Sequence, residues 1–319
     1  MNKNDKPEKS WLLAAVGKRA TEIALEPTPE DIAFQHSIFC QTAMPYRDPG
    51  DEVREWQRKQ GNVILLIEAG KVLQGDGEFH KVGLPFGPKV RLILAHLNTE
   101  ALRQDSASVE VESTLTAFVK RLYDPLRDGR TPNGRQIREF KNQLSRLSGS
   151  NVRLGMVTDE RAMQVNGNII QSFDLWLEKD GRQRVMWPST IRLGDEYFND
   201  LRKHAVPLDE RALAGLAHSA MGIDIYSWLA QRLHRIPENR PQLVPWVCLY
   251  AQFGQGFERI RDFRKHFIEN LRLVYSYYSS ARIDVSGKGL LLHHSIPPVP
   301  PRFFVVRSLN GDCSRQRQN

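Results

Sequence analysis

An α+β fold is what the sequence predicts, one in which a helix-turn-helix followed by a β-hairpin occurs twice behind an N-terminal extension. Three observations predict it. Two segments, 135–147 and 257–278, repeat apolar residues with the helical period. Each is followed by a pair of short β-type runs with a glycine-bearing turn between them, at 169–193 and 281–294. The same order of elements therefore appears twice, without an evident repeat in the residues themselves.

Taken along the chain, residues 1–30 read as a flexible tail, the first ten of them charged and polar (MNKNDKPEKS). Residues 31–205 read as an extension plus the first unit. Pro45 and Pro49 break the start of it into irregular structure. Asn62–Ala69 (NVILLIEA) is an apolar, partly β-branched run, expected to form a hairpin with His80–Leu84 across Gly70–Gly77. Pro88 suits the first turn of a helix, because its fixed φ fits there and its missing N–H is not needed. Val90, Ile93, Leu94 and Leu97 supply that helix with a buried face.

A short strand is expected at Val109–Glu112, and Ser113 can cap a helix carrying Leu115, Phe118, Val119 and Leu122. A turn rich in Asp, Gly and Pro (Asp124–Gly134) precedes the helix Arg135–Leu147. Strands are expected at Val152–Val157, Ile169–Leu177 and Arg184–Leu193, the last two joined across Lys179-Asp180-Gly181.

Pro207 marks a linker to the second unit, residues 206–302. Residues 209–236 are helical by pattern, with Leu213, Leu216, Ile225, Leu229, Leu233 and Ile236 apolar. Pro245 opens a short helix to Phe253, and Gly254-Gln255-Gly256 turns the chain into the helix Phe257–Tyr278. The hairpin Ala281–Val285 and Leu290–His294 closes around Ser286-Gly287-Lys288-Gly289. Residues 303–319 form a second tail. Helix, turn, helix and hairpin in this order are the parts of a winged helix, so two winged-helix domains are expected.

Composition sets the class of partner. Of 319 residues, 40% are hydrophobic and 26% charged, the balance of a globular chain. The formal charge of +8 and a pI near 9.4 favour polyanions, since each neutralised phosphate releases counterions. Cys40, Cys248 and Cys313 are too scattered for a disulfide framework or a zinc site. The N-terminus has no apolar signal-type run, and no stretch of about 18 apolar residues occurs, so a cytoplasmic protein with no membrane partner is expected.

Two helices have faces suited to double-stranded DNA. On 135–147, Ile137, Phe140, Leu144 and Leu147 fall on one side, with Arg135, Arg138, Asn142 and Arg146 opposite and Arg130 in the preceding turn. Arginine can bind guanine through two hydrogen bonds and asparagine can bind adenine likewise; either can hold phosphates. On 257–278, Phe257, Ile260, Phe263, Phe267, Leu271 and Val274 form the core stripe. Arg261, Lys265 and Arg272 flank it, with Arg259 and Arg264 nearby. Lys288, at the tip of the last hairpin, stands where a wing touches a phosphate or a minor groove. Trp228, Trp246 and the run Tyr275–Tyr278 read as packing residues.

Catalytic signatures are missing from the sequence. Gly287-Lys288-Gly289 lacks the spacing and hydroxyl residue of a P-loop, and neither G-x-S-x-G nor H-E-x-x-H occurs. His293 and His294 would lie on opposite faces of a strand, a poor arrangement for joint chelation. No enzymatic activity, metal or cofactor is expected.

Four stretches carry a family resemblance: FQHSIFCQTAMPYR (34–47), LPFGPKVRLILAHLNTEAL (84–102), NGRQIREFKNQLSRLSGSNVRLGM (133–156), and QFGQGFERIRDFRKHFIENLRLVYSYYSSARIDVSGKGLLLHHSIPPVPPR (252–302). They resemble plasmid-encoded RepA replication proteins, over most of the chain from about residue 30 to 302. The resemblance implies a plasmid replication initiator that binds repeated sites in origin DNA and promotes duplex opening. It also implies recruitment of host replication initiator and helicase proteins, and a homodimer as one state. The alternatives are a winged-helix transcriptional regulator acting as an autorepressor, and a metal-dependent nicking enzyme using a tyrosine.

Overall fold

The computed structural model describes residues 27–300 except 75, 112–116, 118, 121–130, 158–161 and 177–186. The expected tails at 1–30 and 303–319 thus lie almost wholly outside the described residues, as do Ser113 and the turn at 124–130. Within them helices and strands are mixed, as an α+β fold requires.

The extension begins with strand β1 (Ile32–His36) and the short helix α1 (Ser37–Gln41). Strands β2 (Glu55–Gln60) and β3 (Val63–Ala69) follow. Val63, Leu65 and Ile67 of β3 alternate with less buried neighbours, so one face of the strand enters the core. The expected hairpin from β3 to residues 80–84 does not form. Both edges of β3 are occupied, by β2 and by β7 (Ser150–Val157), in a four-stranded antiparallel sheet completed by β8 (Ala162–Gly167). The local hairpin is smaller, pairing β4 (Lys71–Leu73) with β5 (Phe79–Lys81).

Helix α2 (Gly87–Gln104) carries Pro88 in its first turn as expected, and Val90, Ile93, Leu94 and Leu97 are fully buried. It packs against β1, against α3 (Gly134–Ser148) and against the later helix α6 (Ala220–Arg232). Asn133 caps α3: its side chain accepts from the Gln136 N–H, and Gln136 accepts in return from the Asn133 N–H. Before α3 come β6 (Ser108–Glu110) and helical residues Ala117, Val119 and Lys120. After it, beyond β7 and β8, come β9 (Ile170–Trp176) and β10 (Trp187–Leu193). These form an antiparallel sheet ordered β6-β10-β9.

Helix α4 (Asp195–His204) leads to β11 (Ala205–Asp209). Pro207, expected in a linker, stands inside β11, which pairs antiparallel with β1 opposite Phe34. A two-stranded sheet tolerates proline because its missing N–H can face away from the single partner. The expected linker is therefore paired backbone.

At the end of β1, His36 is fully buried and its Nδ1 accepts from the Ile38 N–H. That leaves Nε2 to donate to Asp200 at 2.8 Å, while His204 Nδ1 meets the other Asp200 oxygen at 3.0 Å. The His36 hydrogen bond is the main reason that the Asp200 carboxyl is held below the usual aspartate range.

The expected helix over 209–236 is divided. Helix α5 (Glu210–Gly215) ends before Ser219, whose hydroxyl accepts from Gly222 N–H and restarts the chain as α6 (Ala220–Arg232); a 3-10 turn, Leu233–Arg235, follows. Strand β12 (Gln242–Pro245), α7 (Trp246–Phe253), α8 (Ile260–Tyr275), β13 (Ile283–Val285) and β14 (Gly289–Leu292) complete the second unit. Helix α8 begins later than the periodicity predicts. Phe257 is held in the preceding turn by its N–H on Gly254 O, with Gly256 at φ +78°, and its ring packs on Phe263. The sheet order is β12-β14-β13, the same first-third-second arrangement as β6-β10-β9. One continuous apolar core runs through the described residues from Ala33 to Leu292.

Candidate nucleic-acid interface

Helix α8 has three faces. Phe263, Phe267, Leu271 and Val274 enter the core. Arg261, Lys265 and Arg272 are exposed and follow one another at spacings that keep them on one side. Arg261 lies 3.7 Å from Asp262, a loose surface pair. Arg259, at the N-cap, is exposed as well. His266, Glu269 and Leu273 form the third side, which helps line a cleft of about 640 Å³ together with Tyr46, His218 and Gln255.

Arg264 differs from its neighbours. Its guanidinium lies 4.9 Å over the Trp246 ring, and its Nη2 donates to Ser286 O at 3.3 Å. Trp246 Nε1 donates to the same carbonyl at 2.9 Å, and the Trp246 N–H donates to Lys288 O at 3.1 Å. The Ser286 hydroxyl and N–H both bond Gly289 O, closing the turn. The Lys288 side chain is exposed at the tip. Sequence reading found Trp246 as a packing residue, which it is, but missed its hold on the hairpin. The signal would have been a tryptophan N–H needing an acceptor.

On α3, Arg135, Arg138 and Asn142 are exposed. The Arg135 side chain is 82% accessible and its Nε donates to Glu139 at 2.9 Å, one helical turn on. Arg146, grouped with them by spacing, is placed differently. It is 8% exposed, bonded to both Asp48 oxygens at 3.0 and 3.2 Å and to Leu84 O at 3.1 Å, and stacked 5.0 Å from the Phe86 ring. The segments around Asp48 and Leu84–Phe86 cover the last turn of α3, which helical spacing alone does not reveal. Arg146 is a structural anchor here rather than part of an open basic face. Arg130 lies outside the described residues. The structure brings Arg135, Arg138 and Asn142 together on α3, and Arg259, Arg261, Lys265 and Arg272 on α8, with Lys288 on the adjoining turn.

His293 and His294 bond in different directions, to Asp284 at 2.9 Å and to Ile236 O at 2.9 Å. Tyr277 and Tyr278 are buried, and the Tyr278 hydroxyl donates to Ile296 O. Burial pushes that phenol well above its ordinary pKa. Among the described residues, Asp76, Glu78 and His80 on the β4–β5 turn bring ligand-type atoms within 4.8 Å of one another. Asp76 and Glu78 are exposed and His80 is half-buried, and the Asp76 carboxylate already accepts from the Glu78 N–H and meets the His80 ring. No helix among the described residues is long and apolar enough to cross a membrane.

These elements define an α+β protein that presents a basic helix beside a basic hairpin tip. Residues 84–247, just over half of the chain, match the family model of plasmid-encoded RepA proteins, and the chain belongs to that family. Two solved structures of domains 2 and 3 of RctB share weak similarity. The selenomethionine derivative has a TM-score of 0.49 and 12% identity, covering 77% of this chain and 84% of that one. The structure of RctB 155–483 has a TM-score of 0.45 and 11% identity, covering 79% and 84%. At that level neither bears on function. No curated protein sequence matches the chain.

Proposed function

We propose that this protein is a non-enzymatic plasmid replication initiator whose two units are winged helices that bind repeated sites in double-stranded origin DNA. The observation that carries the reading is that both units run helix, strand, helix, helix and end in a hairpin whose outer strand is the second of the three in sequence, with β7 and β8 inserted before the hairpin in the first unit only. In this reading α3 and α8 are the helices that enter major grooves, and the β13–β14 turn with Lys288 touches the backbone or minor groove. Family membership supports an initiator role; on this reading the origin is the target, and opening of the duplex and recruitment of host replication initiator and helicase proteins are the consequence.

Winged helices would serve an autorepressor equally well, so the deciding experiment is replication itself. The gene is supplied in trans to a plasmid that carries its cognate origin but no initiator. Maintenance of that plasmid supports initiation. DNA binding without maintenance supports repression alone. A footprint on the DNA flanking the gene locates the sites, and nicking of supercoiled origin DNA with a divalent metal would overturn the non-enzymatic reading.

A further inference from the structure

We infer that Arg264 and Trp246 are positioning residues: they fix the tip of the β13–β14 hairpin so that Lys288 meets DNA, and Arg264 does not itself hold a phosphate. The inference rests on the DNA-binding reading above. Arg264 belongs by sequence to the basic side of α8, yet its guanidinium is engaged on two sides, by the Trp246 ring and by Ser286 O. Ser286 O accepts from Arg264 on α8 and from Trp246 at the start of α7, so one carbonyl ties the turn to both helices. The Lys288 carbonyl is tied to the Trp246 N–H as well. Two carbonyls on either side of Gly287 are thereby fixed, and the Lys288 side chain projects from a turn whose backbone is set relative to α8. A planar guanidinium can stack and donate sideways at once; an ammonium has the charge without that geometry.

Arg264→Lys keeps the charge and removes the clamp, so it separates the two roles. Binding of the full chain to a duplex from the DNA flanking its gene is measured across a salt series. Lys288→Ala, Arg264→Lys and the double variant are compared, and Trp246→Phe, which keeps a ring but loses the N–H, serves as a second probe of the clamp. Hydrogen exchange at residues 286–289 is followed in the free proteins, and unfolding midpoints confirm that each variant folds.

Lys288→Ala is expected to lower the slope of log K against log salt by about 1. Arg264→Lys is expected to lower it comparably, to speed exchange at 286–289, and to add no further loss in the Lys288→Ala background. Trp246→Phe should also speed that exchange. Unchanged exchange in Arg264→Lys, or losses that add in the double variant, would overturn the inference. Full affinity in Lys288→Ala alone overturns the DNA reading of the hairpin and this inference with it; the exchange data distinguish that outcome from an absent clamp.

Discussion

Arg91 on α2 and Asp224 on α6 form a two-pronged ion pair inside the protein, with Nε–Oδ1 at 2.6 Å and Nη2–Oδ2 at 2.8 Å. Their side chains are 2% and 7% accessible. The remaining guanidinium hydrogens go to Gly87 O, Met44 O and Pro45 O, so the Met44–Pro45 segment, α2 and α6 meet at one charged group. Removing one partner leaves a buried charge uncompensated. Asp224→Ala is expected to lose about 3–5 kcal/mol of stability in urea unfolding. Replacing both residues by apolar ones of similar volume, Arg91→Met with Asp224→Leu, should recover most of that loss. A single Asp224→Ala variant as stable as the parent would refute this account.

Arg146 and Arg138 should separate stability from binding. Arg146→Ala removes hydrogen bonds between a guanidinium and Asp48 and Leu84 O, and should cost about 1.5–3 kcal/mol in chemical denaturation. Arg138→Ala touches an exposed side chain and should change stability by less than about 0.5 kcal/mol. On the proposed reading, Arg138→Ala or Asn142→Ala weakens specific DNA binding by about 1–3 kcal/mol where the residue reads a base. Equal affinity and equal salt dependence in both variants would remove α3 from the interface.

Arg261 and Lys265 stand open on α8. Each change to alanine is expected to lower the salt slope of DNA binding by about 1, and to weaken binding to all sequences alike where the contact is to phosphate. Titrations at several salt concentrations, with specific and random duplexes, test this directly. Slopes identical to the parent would exclude α8 as a phosphate-contacting helix.

Gly289 cannot accept a side chain. A Cβ there would stand 2.1 Å from Val244 O, on the strand that pairs with β14 at Pro245↔Gly289. Gly289→Ala is expected to cost about 1–3 kcal/mol as a local overpacking defect. Thermal unfolding reads this, and an unshifted midpoint would show that β12 and β14 are not so close.

Acid should weaken the protein partly through Asp200. Its carboxyl titrates below the ordinary aspartate value of about 3.9, first because His36 donates to it. A depressed carboxyl stabilises the fold above its unfolded-state pKa and loses that contribution as pH falls through the lower folded value. The gap in unfolding free energy between the parent and Asp200→Asn should therefore be constant near neutrality and shrink below about pH 4. A gap independent of pH would sever Asp200 from the effect.

Local pattern made much of this architecture legible. The stripes Phe140-Leu144-Leu147 and Phe263-Phe267-Leu271-Val274 mark α3 and α8, and Ser286–Gly289 marks the last turn, because each depends on residues a few positions apart. Pairings between distant strands were not legible. Nothing near NVILLIEA says that β3 lies between β2 and β7, and nothing near Pro207 says that β1 will pair there. The same limit separates the basic residues. Helical spacing ranks Arg146 with Arg138 and Arg264 with Lys265, but only the segments laid across them, at Asp48 and Ser286, decide which guanidinium stays open.

Pairing of β1 with β11 bears finally on how this protein would count base pairs. With Ile32–His36 bonded along Ala205–Asp209, the chain passes from one unit to the other through paired backbone rather than a free tether. On the proposed reading, two DNA-binding units held at one separation and one rotation demand sites in one helical phase. Inserting about half a turn, roughly 5 base pairs, between the two contacted segments should abolish joint binding, and a full turn of about 10.5, which restores the rotation but not the separation, should abolish it too. The spacing of the DNA would then be a ruler written in a two-stranded sheet.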